Sequence, residues 1–275
     1  MRPVRQSAAE KSSDTVGSAG RSPLIFFILI FVLSIPFWLI GAVTSREVLP
    51  GLPMSSFMWI CPVTAAAILV YREREAAGVI ELLRRSFDYQ RIRANVWYTP
   101  LVLLMPGVTV LAYGLMRLMR QPLPAPQLPG PATLALFVAL SIAALCEELG
   151  WSGYVADPML KRFSALEAGI LIGLVWAVWH WVPLVQAHRS ADWIGWWSLY
   201  TVASRVLIIW LYNNTGRSVF AAALYHDVMN LCWQLFPIHG SHWDPRVTGL
   251  LVTFVAALVT VVWGPRSLAR CRTAG

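Results

Sequence analysis

Two adjacent carboxylates, Glu147 and Glu148, follow a stretch at residues 134–145 that contains no charged side chain. Acids inside such apolar segments are costly and therefore usually functional. Neighbouring side chains on a helix point about 100° apart, so only one glutamate can face a given point while the other pairs with a neighbouring helix. One carboxylate could then activate a water as general base while the other supports it, or an arginine could neutralise a purely structural acid pair.

Three further polar residues lie in later apolar segments. His180 ends the sequence WAVWH and could bind a metal or share an activated water with a glutamate, or be a hydrogen-bonded core residue. His226 and Asn230 are four positions apart, on one helix face, where they could donate to a developing oxyanion or connect two helices. Asp227 points to another face, and we expect it to support packing. Together these residues supply the groups that amide hydrolysis needs.

The composition excludes a soluble globular protein. Of the 275 residues, 57% are hydrophobic and 13% charged, and the mean hydropathy is +0.59, which indicates a polytopic membrane protein. The formal net charge of +8 comes from arginines expected to fix the topology and meet anionic membrane lipid. The basic residues form no patch interleaved with aromatic side chains, so we predict no nucleic-acid partner.

The apolar segments predict an all-α bundle of about eight transmembrane helices. We predict a disordered cytoplasmic tail at residues 1–22, a single transmembrane domain at 23–265 with its motif-bearing core at 131–236, and a second cytoplasmic tail at 266–275. A turn is expected around Asp157 and Pro158, and an amphipathic helix on the inner leaflet at 73–92. The predicted spans are residues 23–44, 54–71, 96–118, 131–150, 165–187, 193–213, 216–236 and 246–264.

The basic residues predict the orientation of these spans. Sixteen of the 22 Lys and Arg lie on the side of the N-terminus and five on the opposite side, while Arg205 lies within the sixth span. This asymmetry predicts that both termini are cytoplasmic, and we expect a bacterial inner or plasma membrane. The glutamates would lie near the inner end of the fourth span, so the polar residues are expected to converge in the cytoplasmic half of the membrane.

Three sequences, EELGWSGY, WAVWH and HDVMN, resemble in order and spacing the three motifs of the CAAX-protease and bacteriocin-processing family. These are intramembrane proteases related to the Ras-converting CAAX endopeptidases. The resemblance implies that Glu147 activates the attacking water with His180 as its partner, and that Glu148 is a supporting acid. It further implies that His226 and Asn230 stabilise the oxyanion.

The cofactor and the substrate are less defined. The family is often described as metalloproteases, and a metal set of Glu147, His180 and His226 would permit zinc, although the sequence contains no HExxH motif. We favour water activation with no required cofactor. The expected substrate is a membrane-associated protein or peptide, a prenylated CAAX protein is implied only by distant relatives, and the sequence identifies no substrate-binding residues.

One departure from the family pattern concerns the first motif. Ser152 occupies the position before the glycine where the family usually has an arginine. Arg205 could supply the missing positive charge, or its side chain could instead extend to the membrane interface. The departure keeps a second function open, a non-catalytic scaffold or immunity-type binding protein on the same fold. A proton-coupled transporter would use the same buried groups as a relay.

Overall fold

The computed structural model describes residues 22–44, 46–49, 51–127, 130–237 and 240–269. The predicted tails at 1–22 and 266–275 fall largely outside these residues. Two short strands, β1 (Glu47–Leu49) and β2 (Leu52–Pro53), pair antiparallel as a hairpin after the first helix. The α-helices of the described residues are α1 (Pro23–Val43), α2 (Cys61–Arg84), α3 (Tyr98–Leu118), α4 (Ala132–Gly150), α5 (Asp157–Arg162), α6 (Ala165–Gln186), α7 (Ala191–Asn214), α8 (Val219–Leu235) and α9 (Pro245–Trp263).

Shorter helical segments join some of these elements. Two 3₁₀ segments, Met54–Ile60 and Arg85–Arg91, flank α2, and a third, Asn95–Trp97, leads into α3. A π-helical segment, Trp151–Ala156, connects α4 directly to α5. The chain therefore stays helical from residue 132 to residue 162, where the sequence suggested a turn.

The predicted all-α membrane bundle is confirmed. Among the described residues, seven helices are long and apolar enough to cross a membrane. The remaining predicted span, at 216–236, corresponds to α8, which has 17 residues. Each predicted span thus has a helical counterpart, and α8 is the shortest of them.

Two local predictions were wrong. The turn expected at Asp157 and Pro158 is absent because proline is tolerated in the first turn of a helix, where its missing N–H is not needed. Glu147 and Glu148 consequently lie in the middle of a long helical stretch and not near its end.

The amphipathic helix expected at 73–92 is instead divided. α2 breaks at Arg74 and Glu75, where Glu75 has a φ of 53°, and a 3₁₀ segment follows at Arg85.

Close packing of α6 against α7 sets the position of Arg205. A Cβ atom on Gly173 would lie 2.9 Å from the Val202 Cα and 3.1 Å from the Arg205 Cβ, so only glycine permits this approach of the two backbones. Serine caps fix the N-termini of α6, α7 and α8, at Ser164, Ser190 and Ser218.

Candidate active site

One cavity brings together most of the residues singled out in the sequence. Its volume is about 130 Å³, and Glu147 of α4 and His180 of α6 line it together with His226 and Asn230 of α8. A water molecule occupies roughly 30 Å³ of liquid volume, so this space can hold a few waters or part of a peptide. The convergence expected for three separate helices is therefore present in the structure.

The two glutamates have different surroundings. Glu147 is 5% exposed, faces the cavity, and accepts a hydrogen bond at Oε2 from the Trp176 indole nitrogen at 2.8 Å. Glu148 has no exposed surface and does not line the cavity. The prediction that one glutamate faces the site while the other pairs with neighbouring helices agrees with this geometry.

Glu148 is the centre of a buried network. Arg205 Nη1 of α7 donates to Glu148 Oε2 at 2.9 Å, and Ser152 Oγ donates to the same oxygen. His226 Nδ1 of α8 lies 3.0 Å from Glu148 Oε1. Arg205 is completely buried, so the alternative in which its side chain extends to the interface is wrong. The network joins three helices behind the cavity.

The partners of the two histidines define their tautomers. His180 Nδ1 lies 2.8 Å from the Trp176 carbonyl oxygen, which can only accept, so Nδ1 carries the proton and Nε2 has a free lone pair. His226 Nδ1 donates to the Glu148 carboxylate, which leaves its Nε2 for the cavity. Both rings are thus oriented by a hydrogen bond at Nδ1.

The predicted metal set does not form in this geometry. Across the described ranges, no group of three His, Cys, Asp or Glu side chains is placed to hold a metal ion. Glu147, His180 and His226 line one cavity, but they are not grouped there as three ligands of one ion. No catalytic step is therefore derived through a metal.

Several lining residues were missed by the sequence analysis. Trp176 was noted only as part of WAVWH, yet it contacts both Glu147 and His180. Its spacing of four residues from His180 places the two side chains on one helix face, and that signal was available in the sequence. The contribution of Gly51, Leu52 and Pro53 of the hairpin had no sequence signal.

The cavity lies towards one end of the bundle, here called the hairpin end. Hairpin residues line it together with Leu184 near the end of α6 and Gln234 near the end of α8. Basic side chains instead concentrate at the opposite, basic end, where Arg85 bonds to the carbonyl oxygens of Gly153 and Arg217. The described basic residues that follow or precede helices at this end are Arg84, Arg85, Arg91, Arg93, Lys161, Arg162, Arg217 and Arg266.

The position of the cavity bears on two predictions from the sequence, that both termini are cytoplasmic and that the site lies in the cytoplasmic half of the membrane. The two were expected together because the sequence placed the glutamates near the inner end of their span. The helical stretch instead continues past the glutamates to Arg162, and the cavity is lined from the hairpin end. A cytoplasmic basic end would therefore place the cavity nearer the opposite membrane face.

Comparison with known proteins agrees with the motif resemblance. Residues 129–232 match the family described as type II CAAX prenyl endopeptidase Rce1-like. The chain is also 27% identical, over 272 aligned residues covering 89% of it and 95% of the relative, to a protein named CAAX prenyl protease 2 from Methanococcus maripaludis. That relative is archaeal, so the similarity does not support the predicted bacterial origin.

The matched segment extends from just before α4 into α8 and contains the buried Glu148 network as well as every predicted site residue. The cavity and the match therefore concern the same helices. Residues 129–232 of this multi-pass membrane protein are thus similar to the Rce1-like type II CAAX prenyl endopeptidase family.

Proposed function

We propose that this protein is an intramembrane endopeptidase that hydrolyses a peptide bond of a membrane-associated polypeptide. The observation that carries the proposal is a carboxylate, Glu147, open to a cavity that His180, His226 and Asn230 also line. A base, an acceptor for water and donors for an oxyanion are the groups that peptide hydrolysis requires. The transmembrane domain predicted at 23–265 would carry this activity by itself.

The first step would be attack by water. Glu147 removes a proton from a water that also donates to the free Nε2 of His180, and the water oxygen attacks the peptide carbonyl carbon. The proton held by Glu147 then passes to the leaving amine as the carbon–nitrogen bond breaks, so acid and amine products form and the carboxylate returns. General acid–base catalysis of this kind contributes about 10²–10⁴-fold to a rate.

The tetrahedral oxyanion needs donors that are fixed before it forms. The Asn230 side-chain amide and, in its imidazolium form, the His226 Nε2–H would supply them. Glu148 holds the His226 ring by its Nδ1–H, and Arg205 and Ser152 hold Glu148 in turn. Under this proposal the missing family arginine at Ser152 is compensated by Arg205.

Cleavage of a defined peptide by the purified protein in proteoliposomes tests the proposal. The relative's name suggests a prenylated peptide ending in a CAAX sequence as the first substrate, with the unprenylated peptide beside it. We expect Glu147→Gln to reduce cleavage by at least about 10²-fold with unchanged thermal unfolding. Asp227→Asn is the matched control, since it removes a buried acid that does not line the cavity.

The same variants separate an enzyme from a scaffold or immunity-type binding protein. A scaffold should tolerate Glu147→Gln, because the amide keeps the shape of the carboxylate. The scaffold would be supported if cells that carry Glu147→Gln kept the wild-type phenotype and the purified wild-type protein cleaved no peptide. The serine at position 152, where the family usually has an arginine, was the feature that favoured a scaffold. The contact of Arg205 with Glu148 offers another explanation, because Arg205 supplies the positive charge that Ser152 lacks.

We propose that no metal is required. The support is the arrangement of the described side chains, in which Glu147, His180 and His226 are not grouped as three ligands of one ion. Purified protein treated with a chelator should keep its cleavage rate, and elemental analysis should find less than one equivalent of zinc. Loss of activity on chelation, restored by adding zinc, would contradict this proposal.

We further propose that both termini are cytoplasmic and that the cavity therefore faces the outer half of the membrane. The support is the excess of Lys and Arg at the basic end. The substrate would then present its cleaved segment from outside the cytoplasm. Single cysteines at Arg46 of the hairpin end and Arg93 of the basic end, in a background without the natural cysteines, test this orientation. A membrane-impermeant thiol reagent should label Arg46→Cys in intact cells and Arg93→Cys only after lysis, and the reverse pattern would contradict it.

A further inference from the structure

A single residue, Trp176 of α6, contacts Glu147, His180, His226 and Arg205. Its indole nitrogen donates to Glu147 Oε2 at 2.8 Å, and its carbonyl oxygen accepts from His180 Nδ1 at 2.8 Å. The Arg205 guanidinium carbon lies 4.2 Å from its ring centre, and the His226 ring meets it edge to face at 5.0 Å. We propose that Trp176 is a positioning residue that fixes the rotamer of Glu147, an inference that rests on the proposed function.

The case begins with the partners of Glu147. Within the described residues, the Trp176 indole is the one hydrogen-bond donor recorded for its carboxylate. Since this donor occupies Oε2, Oε1 remains for the attacking water. Without the donor, the carboxylate could rotate about its terminal side-chain torsion, which has broad minima. The direction of the general base would therefore depend on a single N–H group.

Trp176 is itself held firmly. It is buried, the Arg205 guanidinium lies over its ring, and the His226 ring contacts it edge to face. Cation–π contacts are stronger when both groups are removed from water. Trp176 thus links the buried Glu148 network to the cavity-facing carboxylate of Glu147, and its bond to Glu147 uses an N–H group that a phenylalanine at the same position would lack.

Trp176→Phe removes this donor and keeps an aromatic ring. We expect kcat for peptide cleavage to fall by about 10–100-fold with KM unchanged within about twofold, because misplacing a reacting group by an ångström costs about this much. Trp181→Phe is the matched control. Trp181 lies on the same helix and donates to Ser198 at 3.0 Å, but it is 45% exposed and does not line the cavity.

A second variant separates the hydrogen bond from the volume of the side chain. In Trp176→His, the ring Nε2–H occupies the ring position of the indole N–H, so we expect its kcat to exceed that of Trp176→Phe although it is the smaller side chain. If both variants cleave at the wild-type rate, or if both lose kcat equally, the positioning role is overturned. If the wild type cleaves no peptide, the proposed function fails instead.

Discussion

The contact between α4 and α8 contains two buried acids with different surroundings. Glu148 of α4 bonds to a guanidinium, an imidazole and a hydroxyl that come from α7, α8 and the π-helical segment. Asp227 of α8 bonds to the hydroxyl of Ser141 of α4 through Oδ2, and its Oδ1 has no partner among the described residues. Glu148 thus belongs to a network that includes the cavity-lining His226, whereas Asp227 pairs with Ser141 alone.

The difference shows that burial of an acid in an apolar helix does not by itself identify a catalytic group. Glu148 has strong partners and is closed to the cavity, while Glu147 has one donor and faces it. Asp227 is adjacent to His226 in sequence yet lies outside the lining. Under the proposed function, the general base is therefore the acid that faces the cavity, and the neighbouring network holds the groups around it.

The largest effect is expected from breaking the Arg205–Glu148 pair. Arg205→Met leaves the Glu148 carboxylate buried without its cation, and such a loss destabilises proteins by about 3–5 kcal/mol. We expect the free energy of unfolding in detergent to fall by this amount and peptide cleavage to be lost. The comparison would fail if Arg205→Met unfolded and cleaved like the wild type.

A second substitution tests whether a positive charge at position 152 can replace that of Arg205. Ser152 is buried and already bonds to Glu148, so Ser152→Arg in the Arg205→Met background should bring back part of the stability and activity. In the wild-type background the same Ser152→Arg change places two cations beside one carboxylate and should destabilise. Opposite signs in the two backgrounds would show that Arg205 replaces the family arginine.

The next effect concerns the cavity face of α8. Asn230→Ala removes one proposed oxyanion donor, and the loss of such a donor costs about 10²–10³-fold in kcat. Asn230 is half-buried at the cavity, so the thermal unfolding temperature should change little. Asn213→Ala, which removes a half-buried amide at the basic end that donates to the Ser267 carbonyl oxygen, is the control. An equal rate for both variants would remove Asn230 from the mechanism.

A smaller effect is expected for Ser152→Ala. The hydroxyl adds one hydrogen bond to a carboxylate that Arg205 and His226 already hold, and a hydrogen bond to a charged group contributes about 1.5–3 kcal/mol at most. We expect a loss of unfolding free energy smaller than that of Arg205→Met, with cleavage reduced but measurable. If Ser152→Ala lowered the free energy of unfolding as much as Arg205→Met or more, Ser152 and not Arg205 would be the main partner that stabilises Glu148.

Much of this arrangement was predictable from the sequence. The helical spans follow from apolar segment length, and the conjunction of two glutamates, two histidines and an asparagine followed from residue type and spacing. The contact of Arg205 with Glu148 could be only one of two hypotheses, because it depends on the rotation of α7 about its axis. The uninterrupted helix at Pro158 was missed because a proline in the first turn of a helix and a proline in a turn look alike in sequence.

The smallest effect is expected from a substitution in the Asp227–Ser141 pair. Asp227→Asn keeps the shape of the side chain and its contact with Ser141, and an amide is less costly to bury than a carboxylate with an unpartnered oxygen. We therefore expect cleavage within about twofold of the wild type and an unfolding free energy changed by at most about 1 kcal/mol. Ser141→Ala, which leaves the acid without its donor, should be the more destabilising change of the two. If Asp227→Asn instead abolished cleavage in a folded protein, Asp227 would have to act through His226, and the two acids would belong to one network.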